Sequence, residues 1–310
     1  MNLVQHGDLP AAVKAHYPWP GRYLNIQGAE SLSEGQMLRM HYLDEGTGEP
    51  LLMVHGNPTW SFYWRTLVSD LSKNYRCIVP DHIGCGLSDK PQDWSYRLED
   101  HIENLSILIE ALDLHDVTLV VHDWGGAIGF GAALKHSERI KRLVIFNTAV
   151  FLGPVPLEIR MCRWPIVGPA MVQGLNGFIR VGLYRAIADR SRMKDGVGQG
   201  YLAPYNNWNN RIAHLQFIRD IPIEDDHPTR RVIQELDNRA QELNHLPAMF
   251  IWGEKDFVFT TEFLERWLHK FPNPEVHILP DAAHFVVEDA HEKILPLMRD
   301  FLARNPLDAQ

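Results

Sequence analysis

Val117-Thr118-Leu119-Val120-Val121-His122-Asp123-Trp124-Gly125-Gly126 is the stretch from which the fold can be read. The β-branched and aliphatic run beginning at Val117 reads as a buried parallel strand. Small residues from Gly125 to Ala127 then open a helix over 125–134, which leaves Asp123 on the sharp turn between strand and helix. Such a strained turn, a nucleophile elbow, lifts one side chain above the sheet, and glycines beside it let the helix pack close. Here a carboxylate holds the place usually taken by serine. An aspartate that attacks carbon forms an ester, which water must then cleave at the enzyme's own carbonyl. That suits displacement at carbon better than ordinary ester hydrolysis. An aspartate before a helix can also serve only as its cap; the partners found elsewhere in the chain argue for the reactive role.

Around this stretch strand and helix alternate. Strands are predicted over 37–43, 51–54, 75–79, 117–121 and 142–146, with helices over 63–71, 98–112 and 127–135. The alternation implies a parallel sheet with helices on both faces, and an active site at the carboxyl ends of the strands. From 151 to 244 the chain turns rich in Gly, Pro and aromatics, with helical stretches over 175–188, 211–219 and 228–243 and no strong strand. This reads as an inserted helical cap, a lid over a core made of 1–150 and 245–310. Strand and helix resume with a strand over 248–252, a helix over 260–271, a strand over 275–279 and a last helix over 290–304.

The 310 residues are 45% hydrophobic, enough for a sizeable core. A net charge of −9 without a basic stripe argues against nucleic acid and anionic membrane as partners. Cys77, Cys85 and Cys162 are widely spaced and odd in number, so neither a disulfide framework nor a metal knuckle is indicated. Residues 1–25 carry no signal-peptide pattern, and no stretch suits a bilayer span, so a cytoplasmic location is expected. The glycine-rich 196–200 lacks the lysine and the strand–helix context of a phosphate cradle. No cofactor and no metal are implied.

An aspartyl ester needs a histidine to activate water against it. Of 16 histidines, His284 follows the predicted last strand and so lies at the same sheet end as Asp123, in the order nucleophile, acid, histidine. His291 falls within the last helix and reads as structural. The acid that orients His284 is expected at Asp256, after the strand over 248–252; Glu254 is a competitor, and Asn147, at the other usual place, is no carboxylate. After the strand over 51–54 comes His55-Gly56-Asn57-Pro58-Thr59-Trp60. The backbone amides of Asn57 and Trp124 are the expected oxyanion hole. Their side chains, an amide and an indole, are N–H donors expected to aim into the pocket and to hold a departing anion such as halide.

These motifs, with Asp81-His82-Ile83-Gly84-Cys85-Gly86-Leu87-Ser88-Asp89-Lys90-Pro91 and His284-Phe285-Val286-Val287-Glu288-Asp289, resemble the haloalkane dehalogenase family. The likeness covers nearly the whole chain. With the acid at Asp256 and Asn57 paired with Trp124, it is most similar to the third dehalogenase subfamily, which also contains the β-lactone decarboxylases of long-chain olefin biosynthesis. Lid stretches 201–208 and 220–222 look similar to both. The resemblance implies an α/β-hydrolase fold and a haloalkane dehalogenase: Asp123 as nucleophile, His284 as base, Asp256 as acid, Asn57 and Trp124 as halide ligands. Its substrates would be a small apolar halogenated molecule and water, with halide released; a homo-oligomer stays open. The alternative is a cis-β-lactone decarboxylase using the same Asp123 and His284. An epoxide hydrolase would need Tyr184, Tyr201 or Tyr205 at the substrate, and Asn57 tells against it. Fluoroacetate dehalogenases carry arginine after the nucleophile, where this chain has Trp124. A hydrolase-fold protein that only binds would be expected to lack a member of the triad.

Overall fold

A computed structural model describes residues 3–27 and 37–307. The stretches 1–2, 28–36 and 308–310 of the expected core lie outside the described residues. Among the described residues eight strands form one sheet: β1 (Arg22–Gln27), β2 (Met37–Glu45), β3 (Pro50–Val54), β4 (Arg76–Pro80), β5 (Val117–Asp123), β6 (Ile140–Thr148), β7 (Ala248–Gly253) and β8 (Glu275–Leu279). Their order is β1-β2-β4-β3-β5-β6-β7-β8. β2 runs antiparallel to both β1 and β4, and every later pairing is parallel.

Alternate side chains of the central strands feed two separate cores, one on each sheet face. Leu119, Val121, Leu143, Ile145, Phe250 and Trp252 pack with helices Leu98–Ala111, Trp124–Lys135 and Thr261–Lys270. Val120, Val144, Phe146, Met249 and Ile251 pack instead with helices Arg65–Leu71 and Val286–Arg304. Burial on both faces is what makes these strands read as continuous apolar runs.

The structure corrects several sequence expectations. β1 was not expected: it is a largely exposed edge strand, so its residues show no apolar alternation. The helix expected over 175–188 is Gly177–Arg185, preceded by a π-helical turn at Pro169–Gly174. The last helix begins at Val286, not 290, because it continues across non-helical backbone at Ala290. Between β6 and β7 the chain holds helices, among them Leu157–Met161, Val197–Leu202, Ile212–Arg219 and Pro228–Arg239, and no strand. No helix of the described residues is long and apolar enough to cross a membrane.

Candidate active site

β5 and β6 pair to their ends, Asp123 opposite Thr148, and the chain then turns sharply into the helix Trp124–Lys135. Asp123 takes φ 53° and ψ −129°, a strained conformation for a residue with a Cβ. The next turn has room only for glycine: a Cβ at Gly125 would meet the Val54 carbonyl oxygen at 2.1 Å. The strain is held from outside, for the Thr148 hydroxyl donates to the Asp123 carbonyl.

The loop after β3 closes over the carboxylate. The Asn57 N–H donates to Asp123 Oδ1 at 2.7 Å, and the Trp124 backbone N–H also bonds the carboxylate. A Cβ at Gly56 would meet Oδ1 at 2.0 Å, so the close approach needs glycine there. His55 fixes this loop: its Nδ1 donates to the Gly56 carbonyl at 2.8 Å, and its Nε2 accepts the His82 N–H at 3.1 Å.

His284 follows β8, and its Nε2 lies 3.7 Å from Asp123 Oδ2. Its Nδ1 lies 2.8 Å from Asp256 Oδ2, while Asp256 Oδ1 accepts the N–H groups of Val258 (2.7 Å) and Phe259 (3.1 Å). Asp256 is buried and Glu254 is exposed, so Asp256 is the carboxylate that reaches His284. Asn147, buried at the end of β6, exchanges two hydrogen bonds with Gly253 and so pins the strand end from which Asp256 follows. His122, which sequence reading passed over, donates Nε2–H to the His284 carbonyl at 2.8 Å and backs its ring at 4.7 Å.

Burial opposes charge throughout this group. It pushes the Asp123 carboxyl up to about 6, against the pull of His284 and of the two backbone N–H donors. For His284, burial alone would lower the pKa; the charge and hydrogen bond of Asp256, with Asp123 beyond, outweigh it and raise it. The two carboxylates thus stabilise the cationic form of the imidazole against the cost of its burial.

Above Asp123 lies an apolar cavity of about 770 Å³, lined by Asn57, Trp124 and His284 and roofed by side chains such as Phe151, Ile159, Phe178 and Ile233. Trp124 lines it beside Phe217, ring centroids 5.4 Å apart. The Asn57 side chain is less free than expected: Nδ2 donates to the His214 carbonyl at 3.4 Å, leaving one N–H for the cavity, and Oδ1 is buried without a partner among the described residues. None of the three lid tyrosines lines the cavity. Tyr201 donates to buried Glu288, the Tyr205 hydroxyl accepts the Gly86 N–H, and exposed Tyr184 lies under Arg190.

Comparisons with known proteins agree with this architecture. A family profile described as the alpha/beta hydrolase fold matches residues 49–168. The chain is 42% identical to a cis-3-alkyl-4-alkyloxetan-2-one decarboxylase of Shewanella oneidensis, over 85% of each chain. It is 43% identical to one of Xanthomonas campestris, over 87% of this chain and 94% of that one. A haloalkane dehalogenase of Mycobacterium marinum is 30% identical over 94% of this chain and 96% of its own. Among solved structures, the haloalkane dehalogenase DatA of Agrobacterium tumefaciens superposes with a TM-score of 0.79 at 26% identity, covering 92% of this chain and 97% of that one. The chain thus belongs to the haloalkane dehalogenase family of α/β hydrolases, on the branch that also holds the β-lactone decarboxylases.

Proposed function

We propose that this enzyme is a cis-β-lactone decarboxylase, which converts a cis-3,4-dialkyl-oxetan-2-one to a cis alkene and carbon dioxide. The observation that carries the reading is the similarity of 42–43% to two such decarboxylases, against 28–30% for the dehalogenases. Residues 151–244 act as the lid that roofs the cavity over the core of 1–150 and 245–310.

The residues suit a reaction that consumes no water. Asp123 Oδ2 attacks the ring carbon bearing the lactone oxygen from behind, the C–O bond breaks, and the electron pair leaves on a carboxylate. The Asn57 amide and the Trp124 indole hold that carboxylate as they would hold a halide. Backside attack sets the new aspartyl ester anti to the carboxylate without any rotation. Loss of carbon dioxide then passes its electron pair into the new double bond, breaks the ester C–O bond and returns Asp123 as carboxylate. Both alkyl groups keep their sides, so a cis lactone gives a cis alkene. His284, whose proton Asp256 helps to hold, stabilises Asp123 as it departs.

Dehalogenation is the second reading, favoured by Asn57 and Trp124, which line the cavity with Asp123. Asp123 would displace halide, and His284 would draw a proton from the water that cleaves the ester. Assaying purified protein on a cis-β-lactone and a bromoalkane side by side tests the choice. Rapid alkene formation with little bromide release is expected; bromide release without alkene overturns the decarboxylase.

A further inference from the structure

The cavity has a rim unlike the rest of the surface. Of the twelve large apolar side chains exposed among the described residues, eight fall within 157–184. Trp164 is 55% exposed and Ile166 83%. Three of the eight, Met161, Met171 and Val181, also line the cavity, so the apolar surface is continuous with its wall. Helical spacing sets Leu157, Arg160 and Met161 on one face of the helix Leu157–Met161, and Val181, Tyr184 and Arg185 on one face of Gly177–Arg185. The Arg185–Glu158 ion pair ties the two helices together. A contiguous exposed apolar surface of this kind marks an interaction site.

Charge identifies the occupant. Residues 151–200 contain seven Lys and Arg against three Asp and Glu; with Arg163 and Arg192 paired to Glu224 and Glu292 from outside that stretch, a net of about +2 remains, against −9 for the whole chain. The whole-chain charge that argues against an anionic membrane therefore hides a basic rim. Arg160, Arg180, Arg185 and Arg190 are exposed there, and Arg190 stacks over the Tyr184 ring at 3.5 Å. A second copy meeting this face by two-fold symmetry would set arginines against arginines. A lipid surface meets both halves of the pattern, with anionic headgroups for the guanidinium groups and an acyl region for Trp164 and Ile166.

We propose that the face formed by residues 157–185 docks on an anionic lipid bilayer, so that the cavity mouth opens toward the acyl chains and draws apolar substrate from them. The inference rests on the surface alone, and flotation reads it without any substrate, apart from the reaction proposed above. The full chain is floated with vesicles of phosphatidylcholine, and with vesicles that also contain phosphatidylglycerol, at low and high salt. Binding is expected only to the anionic vesicles and is weakened by salt. Arg180→Glu should weaken it by at least about fivefold. Trp164→Asp with Ile166→Asp should abolish it, with melting temperature and turnover of a short, water-soluble substrate unchanged. Should the double variant fail to fold, Arg180→Glu decides. No flotation, equal flotation with neutral vesicles, or flotation indifferent to Arg180→Glu overturns the proposal. So does a soluble oligomer that the apolar substitutions dissolve while vesicle binding stays absent.

Discussion

Replacing Asp256 by asparagine changes one atom at the point where the proposed chemistry depends on charge. Asp256 Oδ1 accepts from the backbone N–H groups of Val258 and Phe259, while Oδ2 faces His284 Nδ1. In the variant those two donors keep the amide oxygen, so the NH2 group is forced toward His284. Nδ1 must then accept, and the one remaining ring proton moves to Nε2, facing Asp123. His284 also loses the charge that, against its burial, raises its pKa. Either role for His284, cation beside a departing carboxylate or base toward water, is thereby lost. The same exchange in a serine triad costs ~10⁴ in rate, and a similar loss of turnover is expected here. Because both backbone donors stay satisfied, stability should change by about 1 kcal/mol or less. The assay is kcat and KM for alkene formation from a cis-β-lactone, with thermal melting alongside. Glu254→Gln, at an exposed position, should leave turnover unchanged. Turnover of Asp256→Asn within about tenfold of the parent, or greater damage from Glu254→Gln, would refute the reasoning.

Three further outcomes follow from the same geometry. If dehalogenation is the activity, His284→Phe incubated with a bromoalkane should gain one alkyl group in intact mass, mapped to Asp123, since loss of a general base slows hydrolysis by ~10²–10⁴; an unmodified mass counts against that reading. Asp123 must be ionised to attack, and burial holds its pKa at about 6, so kcat/KM should fall as pH drops through about 6 and level off above it. A plateau reaching down to about 4, the ordinary carboxylate range, contradicts this. Glu288→Ala strands the buried Arg65 guanidinium, which Glu288 grips with both oxygens, and removes the acceptor of Tyr201. It should cost about 3–5 kcal/mol in thermal or urea unfolding, and a loss under about 1 kcal/mol shows that the pair does little for stability.

The central sheet was legible because β5, β6 and β7 are buried on both faces and so must be apolar throughout. The elbow was legible because an aspartate at φ 53° needs small neighbours, and Gly125-Gly126 announce them. β1 escaped because an edge strand that is mostly exposed carries no periodic signal. The bond from the Asn57 side chain to the His214 carbonyl could not be foreseen either, since it joins residues 157 apart through a backbone atom. The part His122 plays is invisible in the sequence, as its donation to the His284 carbonyl exists only once β5 and the loop after β8 are side by side. The basic rim was masked by averaging: a net charge is a sum over the chain, and a surface is not.

The most direct test of displacement at carbon without water follows a cis-3,4-dialkyl-β-lactone through turnover in ¹⁸O-labelled water, with alkene, β-hydroxy acid and the peptide containing Asp123 all measured. The account predicts one cis alkene for each lactone consumed, no β-hydroxy acid and no ¹⁸O in Asp123. A β-hydroxy acid carrying ¹⁸O, or label appearing in Asp123 as lactone is consumed, would mean that water cleaves the intermediate and would contradict it.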